Sequence, residues 1–231
     1  MCKKENIDGS KVTFVTNKND LINFLMMHYL KLQGINQEHV DHFLEQNYID
    51  IRLDHQNFLM KYGNSSSLLT SMFADCTFDR FKNYYSSVQF PFDEMHDEEK
   101  LPLGTTYFGH DFNDEFLCID NFTGEIFVYG YQKKSLPAYY HNIESFLIYS
   151  FFWHQENEQY FETVEKEIRI PEQNKFKSDN EHYRVHGLSG HNFQCYLNKN
   201  MIIIADFDSC YYNLYKGGIL NKLNNLINLG L

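Results

Sequence analysis

Apolar residues along this chain switch between two spacings, and the switch predicts its elements. In "NDLINFLMMHYLKLQG" Leu21, Leu25 and Tyr29 fall roughly on one helical face, with Asp20 placed to cap the start and Gly34 to follow the end. "NQEHVDHFLEQN" is a shorter helical candidate with Val40, Phe43 and Leu44 on one stripe. In "LDHQNFLMKYGN" Asp54 can accept an orphan amide, Phe58, Leu59 and Tyr62 form the stripe, and Gly63 can take a left-handed stop. "SSSLLTSMFADCTFDRFKNYY" has no clear period and reads as a strand or two and a short helix. The period then shortens to two. Phe116–Asp120 and Glu125–Tyr131 alternate around "DNFTG", a turn in which Gly124 is free to take positive φ, so a β-hairpin is expected. "HNIESFLIYSFFWHQ" returns to helical spacing, with Asn142 as cap and Ile143, Phe146, Leu147 and Phe151 facing a sheet.

Beyond residue 154 the pattern weakens to a possible helix, a proline and a polar loop. "FQCYLNKNMIIIADFD" then reads as a second hairpin turning at Asn198-Lys199-Asn200, and "GGILNKLNNLINLGL" as a terminal helix with Leu220, Leu223 and Ile227 on one side. At 231 residues the chain can bury a sizeable core. With 4 Pro and 12 Gly, no long disordered or fibrous segment is expected.

Charge narrows the choice of partner. Against 20 basic residues stand 31 acidic ones, a formal net charge of −11, which repels nucleic-acid phosphate and anionic membranes and attracts cationic proteins. "FDEMHDEEK", residues 92–100, concentrates that charge in what reads as a solvated loop. No apolar run approaches the roughly 20 residues that span a bilayer. The polar start "MCKKENIDGSK" lacks the apolar core of a signal peptide, so the cytoplasm is the expected compartment, with Cys2 leaving open a processed lipoprotein. The five cysteines are scattered, and Cys118 sits in an apolar run as a small hydrophobe.

Three constellations invite a chemical reading. His110, Asp111, Asp114 and Glu115 offer oxygen and imidazole ligands, but the same residue types satisfy free backbone groups where a strand begins. His182, His186 and His191 superficially resemble a zinc-hydrolase spacing, yet Tyr183 follows the first histidine and Glu181 lies on its wrong side. "MIIIADFDSC" ends an apolar strand in Asp206-x-Asp208. It resembles the nucleophile strand of haloacid-dehalogenase-type phosphatases and the Asp-x-Asp of metal-dependent glycosyltransferases. Only residues 209–231 follow, and Cys210 stands where the phosphatase pattern has threonine.

"FGHDFNDEFLCID", the hairpin arm "GEIFVYGY" and the helix "IESFLIYSFF" together resemble the SUKH superfamily, the fungal cell-wall synthesis regulator and its bacterial relatives. In that comparison "HQNFLMKYGN" corresponds to the family's first helix with its "FL…yG", Phe108–Asp120 to its Gly/Asp-containing strand start, and Ile143–Tyr149 to its "sFeeFL" helix. The likeness spans roughly residues 20 to 153, and Asn113-Asp114-Glu115 replaces the family's small Gly-Gly-Asp-like turn. It implies an α+β fold, a mainly antiparallel central sheet packed by helices over 1–153, with 154–231 as a C-terminal extension packed on that core. It also implies a non-catalytic binding role without a cofactor: an immunity protein that neutralises a cognate toxin domain, basic and often a nuclease. The acids Asp93, Glu94, Asp97, Glu98, Glu99, Asp111, Asp114 and Glu115 are its expected contact residues. Two alternatives stay open, a regulatory or scaffold protein of the fungal type and a metal-dependent hydrolase using Asp206 and Asp208. Oligomeric state is not legible.

Overall fold

Asparagine side chains open three of the helices in the computed structural model, which describes residues 13–14, 17–28, 32–65, 70–71, 74–87, 101–111, 115–130, 133–134 and 138–224. Asn17 Oδ1 accepts the amides of Asn19 and Asp20 (2.9 and 3.1 Å) to begin α1, Lys18–Met26. The cap is therefore Asn17 and not Asp20, which sits in the first turn where its charge complements the helix dipole. Asn36 starts α2, Gln37–Gln46, through the Glu38 amide at 2.8 Å. Helix α3, Leu53–Tyr62, buries Phe58, Leu59 and Tyr62 as the stripe predicts, with Asp54 Oδ1 accepting the His55 amide at 2.9 Å. Gly63 ends it with right-handed φ −57° and not with a left-handed stop. Gly34 lies eight positions past Met26 and serves a close approach: a Cβ there would stand 2.1 Å from the Met60 carbonyl oxygen.

Short strands β2 (Thr70–Ser71) and β3 (Ala74–Asp75) precede α4, Phe78–Ser87. The predicted hairpin forms as β5, Phe116–Asp120, and β6, Ile126–Gly130, with Gly124 at φ +79°. It joins β4 (Thr105–Asp111) and β7 (Lys133–Lys134) in an antiparallel sheet of order β2-β3-β4-β5-β6-β7. Next comes α5, Ile143–Trp153, capped by Asn142 at the Ser145 amide (2.8 Å). A 3-10 turn, Gln155–Tyr160, follows and leads into β8, Thr163–Arg169. Then come α6 (Gln173–Asn180), β9 (Arg184–Ser189), β10 (Phe193–Asn198), β11 (Met201–Asp206) and β12 (Tyr211–Lys216), giving a second antiparallel sheet of order β8-β12-β11-β10-β9. In place of the start of a terminal helix, Gly218–Lys222 is a 3-10 turn and Leu223–Asn224 a strand, β13, paired in parallel with β1 (Thr13–Phe14); residues 225–231 lie outside the described ones. Gly217 and Gly218 both have positive φ, outside the right-handed helical region, so neither lies in an α-helical turn. The architecture is α+β with two antiparallel sheets.

Helix α5 joins the two sheets. It is apolar nearly all round, and burial on several sides is the only stable placement for such a helix. Phe146 meets Phe108 of β4 edge-on at 5.2 Å and Phe58 of α3 at 5.9 Å. Phe152 meets Tyr215 of β12 at 4.5 Å, and the Tyr215 hydroxyl donates to the Phe152 carbonyl at 3.0 Å. Buried side chains from before and after residue 153 thereby share one core cluster. The run "MIIIAD" is nearly continuous because both faces of β11 are covered: Ile202 and Ile204 join the main core, Ile203 and Ala205 a smaller cluster beneath Phe176 of α6.

Candidate functional site

Asp93, Glu94, Asp97, Glu98, Glu99 and Asp114 lie outside the described residues. Asp111 and Glu115 close the connection between β4 and β5: the Asp111 amide donates to the Glu115 carbonyl, and Asp111 Oδ1 accepts the Glu115 amide, each at 2.9 Å. Neighbouring His110 accepts from Arg80 Nε at 3.1 Å through Nδ1, and the Tyr107 hydroxyl lies against the same nitrogen. Tyr107 is buried and stacked on Tyr84 at 4.3 Å, and burial pushes its phenol upward. Gly109 is required by a close approach, since a Cβ would stand 2.5 Å from the Asp75 carbonyl oxygen and 2.6 Å from Cys76 Sγ. Asp111 and Glu115 thus close the strand ends, and Gly109 fits a crowded bulge.

The other constellations are dispersed. His182, His186 and His191 are all exposed, with His182 against the Tyr183 ring at 3.7 Å. Asp206 Oδ1 accepts the amides of Asp208 (3.0 Å) and Ser209 (3.1 Å), so one of its oxygens shapes the turn that Cys210 completes at φ +59°. Its strand is antiparallel to both neighbours, unlike the parallel nucleophile strand of an α/β phosphatase. Among the described residues no group of three or more His, Cys, Asp or Glu is placed to hold a metal ion.

What the fold does assemble is a surface around the β5–β6 turn. Arg52 Nε and Nη2 grip the Asp54 carboxylate (both at 2.9 Å), while Nη1 donates to the carbonyls of Asn121 (3.1 Å) and Phe122 (3.0 Å). Asp54 is partly buried, which works to raise its pKa, but the hydrogen bonds and charge of Arg52 outweigh this and its carboxyl falls below the ordinary value. The guanidinium lies under Gly124, where a Cβ would meet Nη2 at 3.0 Å. From the other side Asp120 Oδ1 accepts the amides of Phe122 and Thr123 (both 2.9 Å), and the Asn121 amide donates to the Gly104 carbonyl at 2.8 Å.

These bonds hold the turn backbone while leaving large apolar side chains in water: Phe122 is 93% exposed, Leu103 97% and Leu53 71%. Arg52, Leu53, Asp54 and Asn57 line an open depression of about 520 Å³ beside them. Asp50, Asp54, Asp120 and Glu125 put acids along the same segments. Exposed aromatic and aliphatic groups on a pre-ordered backbone with a polar rim are the makings of a protein-docking surface. The sequence held one signal for it, an aromatic residue inside the otherwise polar "DNFTG" turn; Arg52, 69 positions from Asn121, carried none.

A second residue without a sequence signal is His55. It lies on the buried stripe of α3 with no exposed surface, among Phe58, Phe81 and Phe108 at 5.3 to 6.3 Å. Neither ring nitrogen has a hydrogen-bond partner among the described residues, and burial lowers its pKa to about 3, outweighing the opposing pull of the Asp54 charge. No helix among the described residues is long and apolar enough to cross a membrane. No family model matches this chain, and no curated protein or solved structure matches it either.

Proposed function

We propose that the protein is a non-catalytic binder of the SUKH immunity type, acting in the cytoplasm on a basic cognate toxin domain such as a nuclease. The observation that carries this reading is the surface at the β5–β6 turn, where Phe122, Leu103 and Leu53 stand exposed on backbone pinned by Arg52, Asp120 and Gly104. Little backbone entropy is lost on binding, because the turn backbone is already held, and burying those side chains supplies the favourable term. The net charge of −11 complements a basic partner and accelerates encounter with it, while disfavouring nucleic acid as the ligand. The order of elements, helix α3, strand β4, hairpin β5–β6 and helix α5, also follows the order in which the family's motifs occur in the sequence.

The test is co-expression with the polymorphic toxin encoded nearest the gene, followed by co-purification. Rescue of growth together with a stable complex is the expected result. Failure of both would overturn the immunity reading and favour the regulatory or scaffold role of the fungal relatives.

A further inference from the structure

Helix α2 ends in a backbone conformation that suits glycine and fills it with a tyrosine. The Ile49 amide donates to the Leu44 carbonyl at 2.9 Å and the Tyr48 amide to the Glu45 carbonyl at 3.3 Å, the paired bonds of a left-handed helix stop, and Tyr48 has φ +54°. A Cβ is strained there, and glycine or asparagine is the usual occupant. Buried Leu44 and core-packed Ile49 account for the chain turning at this point, but not for the tyrosine. Tyr48 is 96% exposed, so packing within the chain does not offset the strain. The other non-glycine residues with positive φ among the described ones are Glu167, Lys199 and half-buried Cys210, none of them a large ring held out in water. A strained backbone that presents an aromatic side chain to solvent marks a contact residue.

Tyr48 also lies close in the chain to the surface around the β5–β6 turn. Leu53, 71% exposed, follows five residues on, so the two Cα atoms are at most about 17 Å apart. Arg52, between them, holds the Phe122 carbonyl at 3.0 Å. A partner's footprint of about 800 Å², roughly 30 Å across, is wide enough to take in Tyr48, Leu53 and Phe122 together. Charge identifies what covers them. Residues 37–51 hold Glu38, Asp41, Glu45 and Asp50 and no lysine or arginine, and the C-terminal pole of α2 adds its partial negative charge beside Tyr48. Glu38, Glu45 and Asp50 are exposed. Such a field repels a phosphate backbone and a second copy of this acidic chain, and it favours a basic protein.

We propose that Tyr48 is a contact residue for the basic toxin domain, extending the docking surface from the β5–β6 turn across Leu53 to the end of α2. This assignment rests on the reading of the protein as a binder of such a partner.

Tyr48→Gly separates folding from binding, because the two should move in opposite directions. Relief of the left-handed strain, less the extra freedom that glycine gives the unfolded chain, should raise the folding equilibrium constant about two- to fivefold in urea titration of the full chain. Affinity for the toxin domain encoded nearest the gene, measured by calorimetry, should fall about tenfold or more. Tyr48→Phe, which keeps both the ring and the strain, should hold stability and affinity within about twofold of wild type. Wild-type affinity in Tyr48→Gly would overturn the contact and leave the immunity reading standing. An unchanged or lowered folding equilibrium in that variant would overturn the strain argument and the proposal with it. No complex between the wild type and the toxin domain would overturn the immunity reading itself, and the contact along with it. A wild-type homodimer that Tyr48→Gly dissociates would assign the surface to a second copy and overturn the toxin contact.

Discussion

Replacing His55 with leucine removes a buried titratable group at nearly constant volume, and the consequence is a change in how stability depends on pH. In the folded protein burial lowers the His55 pKa from 6.5 to about 3, while in the unfolded chain the ring titrates near its ordinary value. The unfolded state therefore takes up the proton first. Stability is at its full value above pH 6.5 and falls as pH drops from 6.5 toward 3, by about 1.4 kcal/mol per unit. At pH 5 the wild type should have lost about 2 kcal/mol through His55 alone, and the leucine variant none of that share. At pH 7.5 the two chains differ through packing: leucine forfeits ring contacts with Phe58, Phe81 and Phe108 but also removes two nitrogens that lack partners among the described residues. Urea denaturation followed by far-ultraviolet circular dichroism at pH 7.5, 6 and 5 separates the effects, because contributions of the other histidines cancel when the variants are compared at each pH. The variant should gain on the wild type by about 2 kcal/mol between pH 7.5 and 5 at unchanged m-value. Parallel pH profiles would show that the His55 ring is hydrated or hydrogen-bonded in the folded state, and the reasoning would be wrong.

Arg52→Ala should release the β5–β6 turn, costing about 1 kcal/mol of global stability and raising amide hydrogen exchange at Phe122 and Thr123; unchanged exchange there would mean that the Asp120 cap holds the turn alone. Gly109→Ala places a Cβ against the Asp75 carbonyl and Cys76 Sγ, and should destabilise by about 2 kcal/mol in denaturant titration; a neutral effect would show that β3 and α4 can yield. Phe122→Ala should leave stability within about 0.5 kcal/mol of wild type, as suits an exposed position, while weakening toxin binding by about 2 kcal/mol in calorimetry if Phe122 is the anchor of the interface. Equal affinity would remove the turn from that interface.

Local chemistry made much of the secondary structure legible. Alternation of apolar and polar residues bracketed the first hairpin, Phe116–Gly130, and the polar turn Asn198-Lys199-Asn200 between two apolar stretches marked the second, Phe193–Asp206, because a strand's faces and a turn's φ requirement are written in consecutive residues. Asn142 was legible as a cap for the same reason, whereas Asn17 was passed over for Asp20 because both residue types cap helices and only the backbone path chooses between them. The run "MIIIAD" announced burial but not by what; α6 and the main core supply its two covers from distant parts of the chain.

The acids around residue 111 and Asp206-x-Asp208 looked like chemistry in the sequence, yet the described carboxylates of Asp111 and Asp206 each hold turn amides, a use that depends on a conformation composition does not encode. The sequence by itself determined the helical and strand periods, the net acidity, and the positions of two turns. Only the tertiary structure decided that Arg52 would grip carbonyls at Asn121 and Phe122, that His55 would be buried without a partner among the described residues, and that Tyr140 would bridge the two sheets through Ile126 and Gly190. Periodicity records which side of an element leaves water, whereas the identity of what covers that side is set by contacts between segments tens of residues apart, which packing alone selects.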